Sequence, residues 1–370
     1  MNTTRASGRV ERARHALVAI AWVTTAACTS QPADRVVTDA AVARDASRAP
    51  ETSTHSLAVS PTHACVVRKA GVYCWGENFV GQLGNGGTTT SEQAVEATVV
   101  GNDIVEIAAA TGRTCIRTST GKVECWGSND HGQIGDGTRT DTLVPVAASG
   151  IDDAIQLALD DVSTCVLRKA GRTVACWGGG PEDAWLPRQI EGLSNVQELR
   201  AGSDGSYCAR DASNTVWCWQ SGNGAWAAAK PVEALAGART IALAGFGEVC
   251  ALIEAGNVVC NSSDSGLSVA LDDSDGAVTL IGAGGLALCA NKRDGSWYCW
   301  NVLRQMLESV GSPAIALPTE PALTELLISG FHVCAVREDR QVVCANANDV
   351  LVGASGVDAS ALKIVAGLPD

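Results

Sequence analysis

Methionine, phenylalanine, tyrosine and histidine are scarce in this chain, with two, three, three and five among 370 residues. Basic residues are scarce as well: 27 Lys and Arg stand against 40 Asp and Glu, for a net charge of −13. A protein that lives on nucleic acid or on anionic lipid needs clustered Lys and Arg, so the balance argues against both. Catalytic signatures are missing too. There is no Gly-x-Ser-x-Gly elbow, no phosphate loop ending in Gly-Lys-Ser/Thr and no His-Glu-x-x-His. No two cysteines stand two to four residues apart, the spacing a structural zinc uses. No stretch of any length carries a helical period. What is abundant is cysteine, fifteen in all, with 39 glycines and 10 tryptophans. So many idle thiols do not suit a reducing cytosol. With 46% apolar and 18% charged residues the chain can bury a large core, which excludes wholesale disorder.

The odd cysteine is Cys28. Arg5, Arg9, Arg12 and Arg14 precede an apolar run over residues 16–23, too short to span a membrane as a mature helix, and the small residues Thr24, Thr25, Ala26 and Ala27 lead into Cys28. This order resembles the bacterial lipoprotein signal, with Thr25 where that signal prefers Leu, and implies residues 1–27 as a signal peptide and Cys28 as the lipidated residue. Ordinary signal cleavage near Ala27 is the alternative. Removing residues 1–27 takes away four arginines and one glutamate and leaves a net charge of −16. Residues 28–56, rich in Ala, Asp, Arg, Thr, Ser and Pro, read as a flexible tether.

The other fourteen cysteines fall into local pairs: Cys65 with Cys74, Cys115 with Cys125, Cys165 with Cys176, Cys208 with Cys218, Cys250 with Cys260, Cys289 with Cys299, and Cys334 with Cys344. Pair members lie nine to eleven residues apart, and the first members recur about every 45 residues, the range of propeller blades. Cross-strand pairs on a hairpin require a turn at the midpoint. Gly121, Gly256 and Gly295 fall at the third loop position of their pairs, and Asn214 takes that place in a fourth. Four-residue loops, 68–71 and 169–172, suit the odd-sum pairs. The seventh pair centres on Glu338, Asp339 and Arg340, without Gly or Asn, and is expected to turn more loosely. A β-rich strip lies upstream of each hairpin and a shorter one downstream, giving about four strands per repeat, with repeats starting near 57, 104, 155, 196, 240, 279 and 325. An eighth strip at 362–367 marks ring closure, with either terminus able to supply the last strand. The expected fold is all-β, a seven-bladed propeller over residues 57–370 with one hairpin disulfide per blade.

Cys74-Trp75-Gly76-Glu77-Asn78 is followed by Gly81-Gln82-Leu83-Gly84, and Cys125-Trp126-Gly127-Ser128-Asn129 by Gly132-Gln133-Ile134-Gly135. These segments resemble the repeat of the regulator of chromosome condensation family, in its secreted bacterial cysteine-paired variety, and imply the seven-bladed propeller of that family. Trp177, Trp219 and Trp300 continue the pattern, Asn261 and Ala345 break it, and the Gly-Gln-x-Gly loop is absent after the second repeat. The tryptophans are expected as wedges between blades and the glycines as turn formers. His63 and His332, each two residues before a first cysteine, match a small motif of the family and are read as strand-end hydrogen-bonding groups.

Two weaker matches remain. Residues 262–268 resemble the Asp-box turn of sialidase-type propellers without its closing aromatic. Asp273 and Asp275 lie in an acidic, Gly-terminated loop that offers calcium too few further ligands, and a solvated turn is the alternative. The resulting expectation is a non-enzymatic, exported, monomeric propeller at the bacterial envelope, without cofactor. It would bind a protein or surface polymer through rim loops, bind no nucleic acid, and meet the membrane only through a lipid anchor. The alternatives are a guanine-nucleotide-exchange regulator, implied by the resemblance, and a propeller hydrolase or lyase.

Overall fold

The computed structural model describes residues 56–369 apart from short internal stretches, of which 302–314 and 347–362 are the longest. The signal segment, Cys28, nearly all of the tether, most of the Asp-box match, and Asp273 and Asp275 lie outside the described residues.

Among the described residues twenty-eight strands group into seven four-stranded antiparallel sheets, each built from consecutive strands. The architecture is a β-propeller with four-stranded blades, numbered here in chain order. The first strands of the sheets are Leu57–Val59, Ile104–Ala110, Ala154–Leu159, Val196–Ala201, Ala238–Ala244, Ala277–Gly282 and Leu323–Ser329. Each touches the first strand of the next sheet, and the seventh touches the first, so these strands line the inside of a closed ring.

The second and third strands of each sheet form the cysteine hairpin. Cys65 stands opposite Cys74, Cys115 opposite Cys125, and so on through Cys334 opposite Cys344. Six of these pairs are bonded with Cα atoms 3.9–4.1 Å apart. Cys289 is disulfide-bonded as well and faces Cys299 in register. Side chains alternate along a strand, so a cysteine pair in register fixes which face of the hairpin is apolar.

Three turns differ from, or refine, what the spacing predicts. In the first hairpin the ladder runs on to Arg68 opposite Gly71, which shortens the expected 68–71 loop to two residues. In the third, Gly171 and Arg172 both take positive φ within the four-residue loop. The seventh turn is not looser. Arg340 takes φ 66°, and its N–H donates to Arg337 O at 2.8 Å, as Gly121 donates to Thr118 O and Asn214 to Asp211 O. Arg68 Nη2 donates to Arg340 O at 2.9 Å from the neighbouring sheet, which helps hold a residue type that otherwise avoids this region.

The strip at 362–367 is an outer strand rather than a second inner one. Lys363–Ile364 pairs with Val342–Asn346 as the fourth strand of the seventh sheet, while the N-terminal strip supplies the inner strand of the first. No sheet is shared between the termini.

The apolar cores sit between blades. One joins Cys65, Cys74 and Leu83 of sheet one to Ile107, Ile116 and Trp126 of sheet two. Another joins Val123 and Ile134 to Val166 and Trp177. A third joins Leu57 and Val66 to Cys334 and Val342 across the seam. A sheet buries each face against a neighbour, which is how repeat units that cannot fold alone become stable together.

Candidate functional site

The two standard loops, after the third strands of sheets one and two, are clamped by the same bonds. Asn78 Oδ1 accepts from Leu83 N at 2.9 Å and Asn129 Oδ1 from Ile134 N at 2.9 Å. Gln82 Oε1 accepts from Val80 N, and Gln133 Oε1 from His131 N. Each loop then reaches the next blade. Gln82 O accepts from Trp126 Nε1 and Thr114 Oγ1, both at 2.9 Å, and Gln133 O accepts from Trp177 Nε1 at 2.9 Å and Thr164 Oγ1 at 2.8 Å. Gly84 and Gly135 lie flat on the two indoles, where a β-carbon would overlap the ring. Trp126 and Trp177 are the expected wedges, fully buried. Trp75 is only half-buried, and the side chain of Trp300 lies outside the described residues.

At the junction of sheets three and four the standard loop is missing and the chemistry changes. Trp219 is buried, yet its Nε1 has no acceptor among the described residues. Tyr207 occupies the place of Thr114 and Thr164. Its ring stacks on Trp219 with centroids 5.8 Å apart, Trp226 packs edge-on against it, and its hydroxyl meets Ser163 Oγ at 2.9 Å. These aromatic contacts add apolar area around the indole without a carbonyl for its N–H.

Positions two before the first cysteines are polar in six of the seven sheets, Ala287 being the exception, and lie at the same end of the ring. His63 Nε2 meets Thr114 Oγ1 at 2.7 Å; since Thr114 gives its proton to Gln82 O, the histidine donates through Nε2, and its unprotonated Nδ1 lies 2.8 Å from Ser60 Oγ. Burial pushes the His63 pKa down to about 3, so the ring is neutral. Arg113, fully buried, donates through Nη2 to Asp160 O and Ser163 O, both at 2.8 Å, while Nε and Nη1 find no hydrogen-bond partner among the described residues. The Asp160 carboxylate is engaged by Val162 N, Ser163 N, Ser163 Oγ and Ser221 Oγ. Glu248 takes the same position in sheet five, and burial raises its pKa to about 7.

A second repeating device joins the inner strands. Glu106 Oε1 accepts from Leu157 N, Gln156 Oε1 from Leu199 N, Glu198 Oε2 from Ile241 N, and Glu325 Oε1 from Leu57 N. Where the acceptor is charged and buried, an arginine accompanies it: Arg117 Nε lies 2.7 Å from Glu106 and Arg210 Nε 3.3 Å from Glu198. Gln156, being neutral, needs no such partner, and Leu167 stands at the equivalent position.

The loops after the third strands share one face with the turns between first and second strands. Glu77 N donates to Thr62 O, and Gly112 N to Thr62 Oγ1. On this face Phe79 is 71% exposed, the most exposed large apolar side chain among the described residues. It sits between Asn78 and Val80, inside the clamped loop. Sequence reading passed it over. The available signal was an aromatic residue in a turn where the second repeat carries Asp130. Among the described residues no group of three His, Cys, Asp or Glu side chains is placed to hold a metal, and no helix is long and apolar enough to cross a membrane.

The Regulator of chromosome condensation (RCC1) repeat family matches residues 104–133. Among curated proteins, the "Probable E3 ubiquitin-protein ligase HERC4" of Rattus norvegicus is 29% identical over 131 residues, 34% of this chain and 12% of the ligase. The "Protein RCC2 homolog" of Danio rerio is 35% identical over 88 residues, 23% of this chain and 18% of that protein. The chain thus spans less than a fifth of the length of either relative. Among solved structures, Prp20p of Saccharomyces cerevisiae, whose structure was described with its binding to Gsp1p and histones, superposes with a TM-score of 0.64 at 17% identity, covering 80% of this chain and 85% of that one. The CRINKLY WD40 ectodomain of the Arabidopsis thaliana receptor kinase ACR4 gives 0.51 at 21% identity, covering 79% and 94%. Fold and matched repeat together describe an RCC1-like propeller.

Proposed function

We propose that this chain is a non-enzymatic binding propeller, exported to an oxidising compartment at the bacterial envelope, that engages a protein through the face carrying Phe79. The paired cysteines support the compartment, since such bonds persist where thiols are not kept reduced. The observation that carries the binding role is a stiff loop presenting an exposed aromatic ring. Aromatic anchors dominate binding energy in protein interfaces, and a preordered anchor loses little entropy on docking. Prp20p, which shares the fold, is described as binding proteins, which fits a protein partner. The exchange-factor alternative fits poorly with export and a net charge of −13.

The test is affinity capture from envelope extracts with the full-length exported chain and with Phe79→Asp. A partner held by the wild type and lost from a variant of unchanged melting temperature supports the reading. Equal capture by both removes Phe79 from the interface.

A further inference from the structure

Phe79 does not stand on a neutral surface. Glu77 lies two residues before it. Val80, next to it, packs over Gly112, and Gly112 is bracketed by two more acidic groups. On one side Thr111 N donates to Asp161 Oδ1 at 3.1 Å. On the other, Ser128, which also adjoins Gly112, donates through Oγ to Asp130 Oδ1 at 3.2 Å. Three carboxylates therefore lie on the face that carries Phe79, two of them linked to its neighbour Val80 through the turn at Gly112. Asp130 is exposed, while Glu77 and Asp161 are half-buried.

The nearby cations compensate this only in part. His131 Nε2 is 3.8 Å from Asp130 Oδ2. The Arg139 guanidinium lies over the Trp185 ring at 5.5 Å with Nε donating to Asp130 O, and its charge offsets part of that of Asp130. His332, the imidazole near Glu77, is held below its ordinary range by desolvation. Arg113, fully buried beneath the face, interacts electrostatically with Asp160, Asp161 and Asp130.

An exposed ring on a clamped loop is convex and needs a concave apolar partner. Carboxylates on the same face favour positive charge on that partner's rim and oppose negative charge there. Resting on the protein-binding reading above, we propose that Phe79 with Glu77, Asp130 and Asp161 docks into a protein surface offering an apolar socket rimmed by Lys or Arg. The same rim excludes partners whose sockets are bordered by carboxylates.

Two small cups test this without knowledge of the partner. Neutral β-cyclodextrin offers an apolar socket, and per-6-amino-β-cyclodextrin offers the same socket with an ammonium rim. Each is titrated calorimetrically into the full chain. The expected result is binding of both cups that disappears in Phe79→Ala. The cationic cup should bind about tenfold more tightly at low salt, because two or three partly screened charge contacts each contribute a few tenths of a kcal/mol or more. That advantage should shrink in 0.5 M salt, as exposed charges are screened. It should vanish in the double variant Asp130→Asn/Asp161→Asn, which keeps the neutral cup's affinity. Equal affinity of the two cups through Phe79 overturns the charged-rim proposal and leaves the anchor standing. Failure of Phe79→Ala to weaken either cup overturns the anchor itself, and with it the reading on which this rests.

Discussion

Single atoms distinguish the junctions of this ring. Trp126, Trp177 and Trp219 are equivalent in sequence, but the first two give their indole protons to main-chain carbonyls and the third does not. Replacing any of them by Phe removes part of a packed ring. Trp126→Phe and Trp177→Phe also lose a hydrogen bond, whereas Trp219→Phe removes a buried donor that was never satisfied. An unmade buried hydrogen bond costs about 1–3 kcal/mol, so Trp219→Phe should destabilise by about 2 kcal/mol less than the other two in urea unfolding. Equal losses at all three would show that packing alone sets the cost. Protonation divides His63 from Glu248. The folded pKa of His63 is about 3, below the ordinary 6.5, so the unfolded chain binds the extra proton and stability falls as pH drops from 6.5 toward 3. The folded pKa of Glu248 is about 7, above the ordinary 4.5, so stability falls as pH rises from 4.5 toward 7. Between about pH 4.5 and 6.5 the two slopes oppose each other. Relative to wild type, His63→Gln should therefore lose stability with rising pH over this window and Glu248→Gln should gain it. Unfolding curves at pH 5.0 and 6.5 check both signs.

Between neighbouring sheets the structure repeats a function rather than a residue. Glu106 and Gln156 accept the same backbone N–H one blade apart, the first paired with Arg117 and the second opposite Leu167. Breaking a buried ion pair leaves one charge uncompensated, at a cost of about 3–5 kcal/mol, while replacing both partners can be nearly neutral. Glu106→Gln, which keeps the acceptor, should be strongly destabilising alone. The double variant Glu106→Gln/Arg117→Leu, which installs the chemistry of sheet three in sheet two, should recover most of that loss. A double variant as unstable as the single would mean that Arg117 contributes through packing. The cysteine hairpins were legible in sequence because both partners and the turn lie within a dozen residues. The seventh turn was misread because what holds Arg340 in place comes from Arg68, nearly a chain length away. Tyr207 in place of threonine, and the unpaired Trp219, were hidden for the same reason: one repeat's substitution answers another repeat's missing loop. Phe79 was visible as a letter, but its exposure depends on the clamp formed by Asn78 and Gln82.

At the scale of the whole molecule the ring closes without sharing a strand. Sheets one and seven are each complete, so among the described residues their seam is held by side chains and one main-chain hydrogen bond. Glu325 accepts from Leu57 N at 3.4 Å and from Ser56 Oγ at 2.7 Å, Ala94 N donates to Ala366 O at 3.3 Å, and Arg68 Nη2 reaches Arg340 O. Elsewhere successive sheets are also joined by short covalent connections, which raise the effective concentration of the two halves. The seam has no such link, and opening it leaves every sheet intact. It is therefore the place where the ring should open first, in a local fluctuation that costs less than global unfolding. Glu325→Ala removes the acceptor that joins the two inner strands and should lower the opening free energy there by about 1–3 kcal/mol. Amide hydrogen exchange should then quicken about five- to hundredfold in Leu57–Val59 and Leu323–Ser329, while Val196–Ala201, on the opposite side of the ring, keeps its protection. Uniform acceleration in all three strands would instead show that the seven sheets open as one cooperative unit, with the seam no weaker than any covalently continuous junction.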